Sequence, residues 1–307
     1  MNNIRNKYKE IINKMPESLF VKKLIIPDHE DECNNVITLS SSDIDIDKQY
    51  VNLVNRIQKS IGKSFLPVIR VSDGEFNLLL GDQPPGPWWP THIRIKKIIG
   101  VIKRKFINTK SFSNATYSGG NQVKASEIES IRISAISGVK LIMKEGVLAA
   151  HLSLTNKPFQ ADYLLPFFST LKKNEIEINS TNIAPFYFIY PMVLSHYGDL
   201  LFENKSVMII HSAKGEKKNR IINAVKARSA SKIVWLSISH NNTFYDHLDV
   251  ENYLGKADIA LIGAGVAKLL LVKQLSILNI PVIDIGFVFE VWCNPDLDVE
   301  RPFCKIK

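Results

Sequence analysis

The chain has 307 residues, 45% of them hydrophobic and 22% charged. That supply of apolar side chains is enough for a large core and excludes both intrinsic disorder and a disulfide-stapled miniprotein. Lys and Arg number 39 against 30 Asp and Glu, a formal net charge of +9, which biases the surface toward anionic partners such as nucleic acid, nucleotide phosphates or acidic lipid.

In chain order, residues 1–60 read as an accessory, partly helical lead-in. They carry a helical pattern around Lys7 to Met15, a Pro- and acid-rich stretch at Pro27 to Asn35 and a Ser-Asp run at Ser40 to Asp47. Charges are scattered where a signal peptide needs an apolar stretch. Residues 61–307 read as one α/β unit. Candidate strands are Phe65 to Ser72, Val147 to Leu154, Glu175 to Asn179, Ser206 to Ser212, Lys232 to Ser239, Ala257 to Gly263 and Ile280 to Gly286. Several are continuously apolar, as strands buried on both faces of a parallel sheet are. Helical patterns lie between them, at Glu127 to Met143 with Ser126 as N-cap and at Val266 to Leu278 after a Gly-Ala-Gly turn. The expected fold is a Rossmann-like, mostly parallel sheet with helices on both faces. The longest apolar stretches, Ile183 to Leu194 and Ile259 to Val272, are interrupted by Pro, Gly or Lys268. Both are shorter than the roughly 20 residues of a membrane span. Cys33, Cys293 and Cys304 show no Cys-x-x-Cys spacing, so a reducing, cytoplasmic setting is the simplest expectation.

Ligands of open parallel sheets bind beyond the carboxyl ends of the strands, and each predicted strand here ends in polar residues or glycine. The first is followed by Arg70-Val-Ser-Asp73-Gly74-Glu75, the fourth by His211-Ser-Ala-Lys214-Gly215, and the fifth by Ser239-His-Asn-Asn242. The sixth ends in Gly263-Ala-Gly265 and the last in Asp284-Ile-Gly286. Two carboxylates one residue apart, Asp73 and Glu75, can share a hard divalent cation, Mg²⁺ or Mn²⁺, that leaves positions open for phosphate oxygens. The same residues also suit a helix N-terminus, with Asp73 as cap and Glu75 in the first turn, and the triplet by itself favours that reading. Gly263 and Gly265 before a helix let a phosphate or ribose approach the backbone, or serve close packing of strand on helix. The sixth position of a dinucleotide fingerprint is Lys268, so a Rossmann oxidoreductase is poorly supported. Lys214, Lys217, Lys218 and Arg220 form a cationic loop suited to phosphate.

From His92 to Lys110 a cationic amphipathic pattern places Ile95, Ile98, Ile99, Ile102 and Phe106 on one face, with seven basic and no acidic residues elsewhere. It suits docking on an anionic membrane, and more simply a core-packed helix with a basic outer side. The loop before it carries Trp88 and Trp89, which can stack on a sugar or base or form a buried lid. There is no H-E-x-x-H, G-x-S-x-G or Walker P-loop pattern. No nucleic-acid-binding signature accompanies the charge either, so nucleic acid is not an expected partner.

Taken in order, these segments resemble the GT-D-fold glycosyltransferases, bacterial enzymes that use nucleotide-sugar donors. Arg70-Val-Ser-Asp73-Gly74-Glu75 resembles the group's Arg-aromatic-Gly-Asp-Gly-Glu segment. Ile259 to Leu270 resembles its strand, glycine turn and helix, and Pro281-Val-Ile-Asp284-Ile-Gly286 its Asp-Ile-Gly strand. Glu290 and Trp292 fall near its Glu-Trp pair, and Asn242-Thr-Phe244 near its Asn-small-Phe element. The chain departs from the pattern at Ser72, Ala184-Pro185 and Phe287 and lacks the Ser-Arg-Gly of the middle loop.

The resemblance, spanning about residues 65–300, implies a metal-assisted transfer of sugar from a nucleotide diphosphate, UDP above all, to a saccharide or lipid-linked acceptor, as in bacterial polysaccharide assembly. Asp73 and Glu75 would hold the metal, and Arg70 and Lys214 would share the phosphate charge. Gly74, Ser239, Asn242, Gly263 and Gly265 would line the nucleotide cleft, and Asp284 or Glu290 would orient or deprotonate the acceptor. A protein of this kind would be cytoplasmic or peripheral on the inner membrane face. The alternative from another class is a nucleotide- or polyanion-binding protein on the same fold without transfer activity.

Overall fold

The computed structural model describes residues 24–26, 35–37, 46–81, 95, 99, 114–116, 122–150, 165–178, 181–186, 189–194 and 196–294. Its frame is a seven-stranded sheet: β1 Leu66–Val71, β2 Val147–Ala150, β3 Ile183–Pro185, β4 Ser206–His211, β5 Lys232–Ser237, β6 Ile259–Gly263 and β7 Pro281–Asp284. The spatial order is 3-2-1-7-6-4-5, and every neighbouring pair is parallel.

Nine helices among the described residues surround it: α1 Ile46–Ser60, α2 Asp73–Leu80, α3 Ile128–Glu145, α4 Leu165–Lys173, α5 Ile189–Leu194, α6 His196–Phe202, α7 Gly215–Lys226, α8 Lys268–Leu275 and α9 Val288–Cys293. Short two-stranded ribbons join Leu24–Ile26 to Asn35–Ile37 and Asn114–Thr116 to Gln122–Lys124.

The apolar runs work as a parallel sheet because their alternate residues feed two separate cores. On one face, Ile69, Leu148, Ile210, Ile262 and Val282 pack against Phe76 of α2, Val139 of α3, Phe167 of α4 and Leu269 of α8. On the other, Val68, Ala149, Ile209, Leu261 and Ile283 pack against Ile57 of α1, Val193 of α5, Phe202 of α6, Val225 of α7 and Phe289 of α9. The end of the expected lead-in is thus a working layer of the fold: α1 buries Leu53, Val54 and Ile57, and its Arg56 reaches Thr181 O at 2.6 Å.

This layering positions the site. After β4 the chain enters α7 on the second face, and after the neighbouring β6 it enters α8 on the first. Adjacent strands whose following helices leave on opposite faces open a crevice beyond their carboxyl ends. The neighbours β1 and β7 do the same through α2 and α9.

Two expectations are corrected. Residues 175–178 do not form a strand; they follow α4 through Glu175 at φ 55°. The buried Asn182 side chain donates to Met143 O and Glu177 O and holds that irregular course. The outermost strand is Ile183–Pro185 instead, paired to β2. Ser126 does not cap α3: it lies in the 3₁₀ turn Ala125–Glu127, and Glu127 occupies the cap position.

The Lys7 to Met15 pattern, the Trp88-Trp89 loop and most of the His92 to Lys110 pattern lie outside the described residues. Of that last pattern, Ile95 and Ile99 are helical and exposed. Among the described residues no helix is long and apolar enough to cross a membrane.

Candidate active site

The carboxyl edge of the sheet gathers residues from four strands that are distant in sequence. At its centre is a buried ionic quartet. Arg70, the penultimate residue of β1, directs Nε to Asp284 O (3.1 Å) and Oδ2 (3.3 Å), and Nη2 to Oδ1 (3.2 Å), while its backbone N–H also donates to Oδ2 (3.2 Å). Lys268, the first residue of α8, places Nζ 2.5 Å from Glu75 Oε1 and 3.1 Å from Asp284 Oδ2. All four are at least 95% buried, and two cations against two carboxylates sum to zero.

Burial alone would raise the Asp284 pKa, but Arg70 and then Lys268 outweigh it and hold the carboxylate below its usual range. Burial would likewise lower the Lys268 pKa; Asp284 and Glu75 overcome it and hold the ammonium above its usual value. The Arg70 guanidinium also lies 5.0 Å over the Phe186 ring.

The backbone is fitted to this network. Gly286 has φ 35°, and a Cβ there would meet Arg70 Nη2 at 1.9 Å. Ser72 stands at the N-cap of α2, and its backbone N–H donates to Glu75 Oε2 at 2.9 Å. Glu75 at N3 therefore satisfies an otherwise orphaned amide of the helix start. Asp73 is the first residue of α2 and Gly74 the second.

A second cluster lies on the other face of the same edge. His211 ends β4, 8% exposed, with its ring 4.8 Å from Phe289 and 6.4 Å from Trp235. Its Nδ1 accepts the Ala213 N–H at 2.9 Å. Burial first, then the nearby Lys217 cation, lowers its pKa to about 4 against a smaller opposing effect of Glu290, so the imidazole is neutral through the physiological range. Lys217 bonds Glu290 Oε1 at 2.6 Å, and Lys218 lies 4.9 Å over the Trp235 ring. Gly263 ends β6 where a Cβ would strike Phe289 Cδ2 at 2.6 Å and His211 Cδ2 at 2.7 Å. Packing alone thus requires glycine there. Gly265 needs it for its φ of 53°.

Of the expected site residues, the fold brings Arg70, Glu75, Gly263, Gly265, Asp284 and Glu290 to this edge, with Lys214 exposed at the N-cap of α7. Ser239 is occupied otherwise: its backbone N–H and hydroxyl both donate to Asp246, and its carbonyl accepts the Thr243 hydroxyl. Asn242 is exposed and starts the 3₁₀ turn Thr243–Tyr245.

Arg70 and Asp284 face each other and are buried in the quartet. Lys268 and His211 were not singled out as site residues in the sequence. Lys268 had a signal, a lone cation within an otherwise apolar Val-Ala-Lys-Leu-Leu-Leu-Val run.

The residues do not fit a divalent cation at Glu75. Both carboxylate oxygens are engaged, Oε2 by the Ser72 amide and Oε1 by the Lys268 ammonium, a cation that would repel a second one there. Among the described residues no group of three or more His, Cys, Asp and Glu side chains could hold a metal ion.

Fold and edge together define an open, doubly wound parallel α/β protein with its crevice at a switch point. No protein-family profile matches the chain, and no curated protein matches it. Three solved structures are similar at low identity. A selenomethionine-substituted structure of domain of unknown function 1792 is 14% identical, with 81% of this chain and 86% of that one covered and a TM-score of 0.44. A structure described as a new glycosyltransferase of that domain type, from Streptococcus sanguinis, is 13% identical over 83% and 84% of the two chains, TM-score 0.43. A third, described as showing that this domain has a distinct glycosyltransferase fold, is 13% identical over 81% and 86%, TM-score 0.42.

Proposed function

We infer that the chain is a glycosyltransferase that takes a sugar from a nucleoside diphosphate, UDP foremost, and passes it to a saccharide or lipid-linked acceptor. The observation that carries this reading is the convergence on one sheet edge of the Arg70 to Glu75, Gly263 to Gly265, Asp284 to Gly286 and Glu290 segments, beside the basic start of α7. That is where open parallel sheets take phosphorylated ligands. It is also the set of segments that resembles the nucleotide-sugar enzymes in order and spacing.

The residues divide the work by exposure. The quartet fixes the ends of β1 and β7 and the starts of α2 and α8, giving the crevice a rigid, neutral floor. Lys214, exposed at the head of α7, supplies charge for the departing diphosphate together with the amide dipoles of that helix. Glu290 is the carboxylate able to take the acceptor proton: its side chain is 42% exposed, and Oε2 has no hydrogen-bond partner among the described residues. Asn242 stands exposed at the end of the β5 side, suited to the nucleoside. No step is assigned to a divalent cation.

The test is release of UDP from a panel of UDP-sugars, with and without saccharide acceptors. Wild-type protein is expected to release UDP slowly, and Glu290→Gln to lower turnover by about 10²–10⁴-fold while keeping nucleotide affinity. Nucleotide binding with no release from any donor and acceptor would instead support the non-catalytic reading, and absence of both would refute this one.

A further inference from the structure

We propose that the crevice between β4 and β6 contains a phosphate-oxygen subsite in which His211 donates its Nε2–H to the ligand. The inference rests on the nucleotide-diphosphate reading above and names a residue for it. Nδ1 of His211 is committed as an acceptor of the Ala213 N–H, so in the neutral ring the proton resides on Nε2 and that atom is a donor.

Nε2 has no hydrogen-bond partner among the described residues, although the residue is more than nine-tenths buried. The atom is not fully enclosed. The Cδ2 edge that carries it lies against Gly263, at the glycine turn. A second donor nearby, Trp235 Nε1–H, is enclosed without an acceptor.

The surroundings favour a negative ligand. The 12-residue helix α7 begins four residues after His211. Lys217 and Lys218 come from its first turn; among the described residues Lys217 pairs with Glu290, and Glu216 of the same turn pairs with Arg220. An unpartnered donor that is not enclosed, beside a helix N-terminus, is suited to an anion. A neutral imidazole donor suits a phosphate oxygen because it gives a hydrogen bond without competing for the counter-charge of Glu290.

The two ring nitrogens can be separated by substitution. An Asn amide can replace Nδ1 but not Nε2, whereas a Gln amide reaches the Nε2 position. Full-length wild-type, His211→Asn and His211→Gln proteins would be titrated calorimetrically with UDP and with inorganic pyrophosphate, and their folding compared by circular dichroism. The expected result is binding by wild type, about tenfold weaker binding by His211→Asn, as for loss of one hydrogen bond to a charged group, and recovery in His211→Gln. Equal affinity of wild type and His211→Asn for UDP would overturn the subsite and leave the nucleotide reading standing. His211-dependent binding of pyrophosphate with no binding of UDP would keep the subsite and sink the nucleotide reading. Failure of wild type to bind either ligand would overturn the subsite.

Discussion

Lys268 and His211 are the two residues whose chemistry is most altered by the fold. Lys268 is a lone cation in an apolar helix start, stabilised by two carboxylates, one 193 positions away in the chain. Removing one member of a buried ionic set leaves its partner charged and unpaired, which costs about 3–5 kcal/mol. Lys268→Met and Glu75→Gln should each lose stability on that scale in urea denaturation, and the double variant should lose less than the two added together. Additive losses would mean that the two side chains do not interact.

His211 makes a pH prediction. Its folded pKa of about 4 lies below the unfolded value of about 6.5. The unfolded chain therefore takes up the proton first as pH falls, and the native state loses stability between about pH 6.5 and 4, up to about 3 kcal/mol. Thermal unfolding across that window should fall more steeply for wild type than for His211→Gln. Asp284, with its depressed pKa, works in the same direction at lower pH: its contribution is present above the ordinary carboxylate range and is lost as pH drops through the folded value.

Among the elements, α3 and α8 pack so closely that a Cβ on Gly138 would fall 1.7 Å from Leu269 O. Gly138→Ala should therefore destabilise the protein although alanine is the better helix former, because backbone would have to move. A thermal midpoint equal to or above wild type would contradict the close approach. The same packing holds Lys268, one residue before Leu269, in its place within the quartet, so this variant should also disturb the site.

The elements were unevenly legible in the sequence. Strands β4, β6 and β7 could be read because burial on both faces requires unbroken apolar runs. The segment 175–179 misled because Glu-Ile-Glu-Ile-Asn alternates like a half-buried strand, yet the α4 terminus and Asn182 hold most of it as an irregular connection. The three-residue β3 is too short for any periodicity to show. The carboxyl-edge location of Glu75, Gly263 and Asp284 was readable from strand ends alone, whereas Glu290 was reached only through the resemblance. The pairing of Arg70 with Asp284 across 214 positions was not, since local pattern carries no information on which distant charge a buried one will meet.

At the scale of the whole molecule, a basic protein of net charge +9 directs part of its charge to one end of a parallel sheet. The two charge clusters there behave differently. The quartet is closed and neutral, while the α7 side, with Lys214, Lys217, Lys218 and the unpartnered Nε2–H of His211, is the side suited to an anion. If the closed quartet replaces metal binding at Glu75, UDP affinity should change less than twofold between excess EDTA and millimolar Mn²⁺. A tenfold gain with Mn²⁺ that Glu75→Gln abolishes would contradict that.

The central claim, that this edge is the seat of a nucleoside diphosphate, is tested most directly by a crystal structure of the protein soaked with UDP. The diphosphate is expected beyond the carboxyl ends of β4 and β6, with an oxygen within hydrogen-bond distance of His211 Nε2 and the first turn of α7. UDP bound elsewhere on the molecule, or a crevice left empty at saturating nucleotide, would contradict the account.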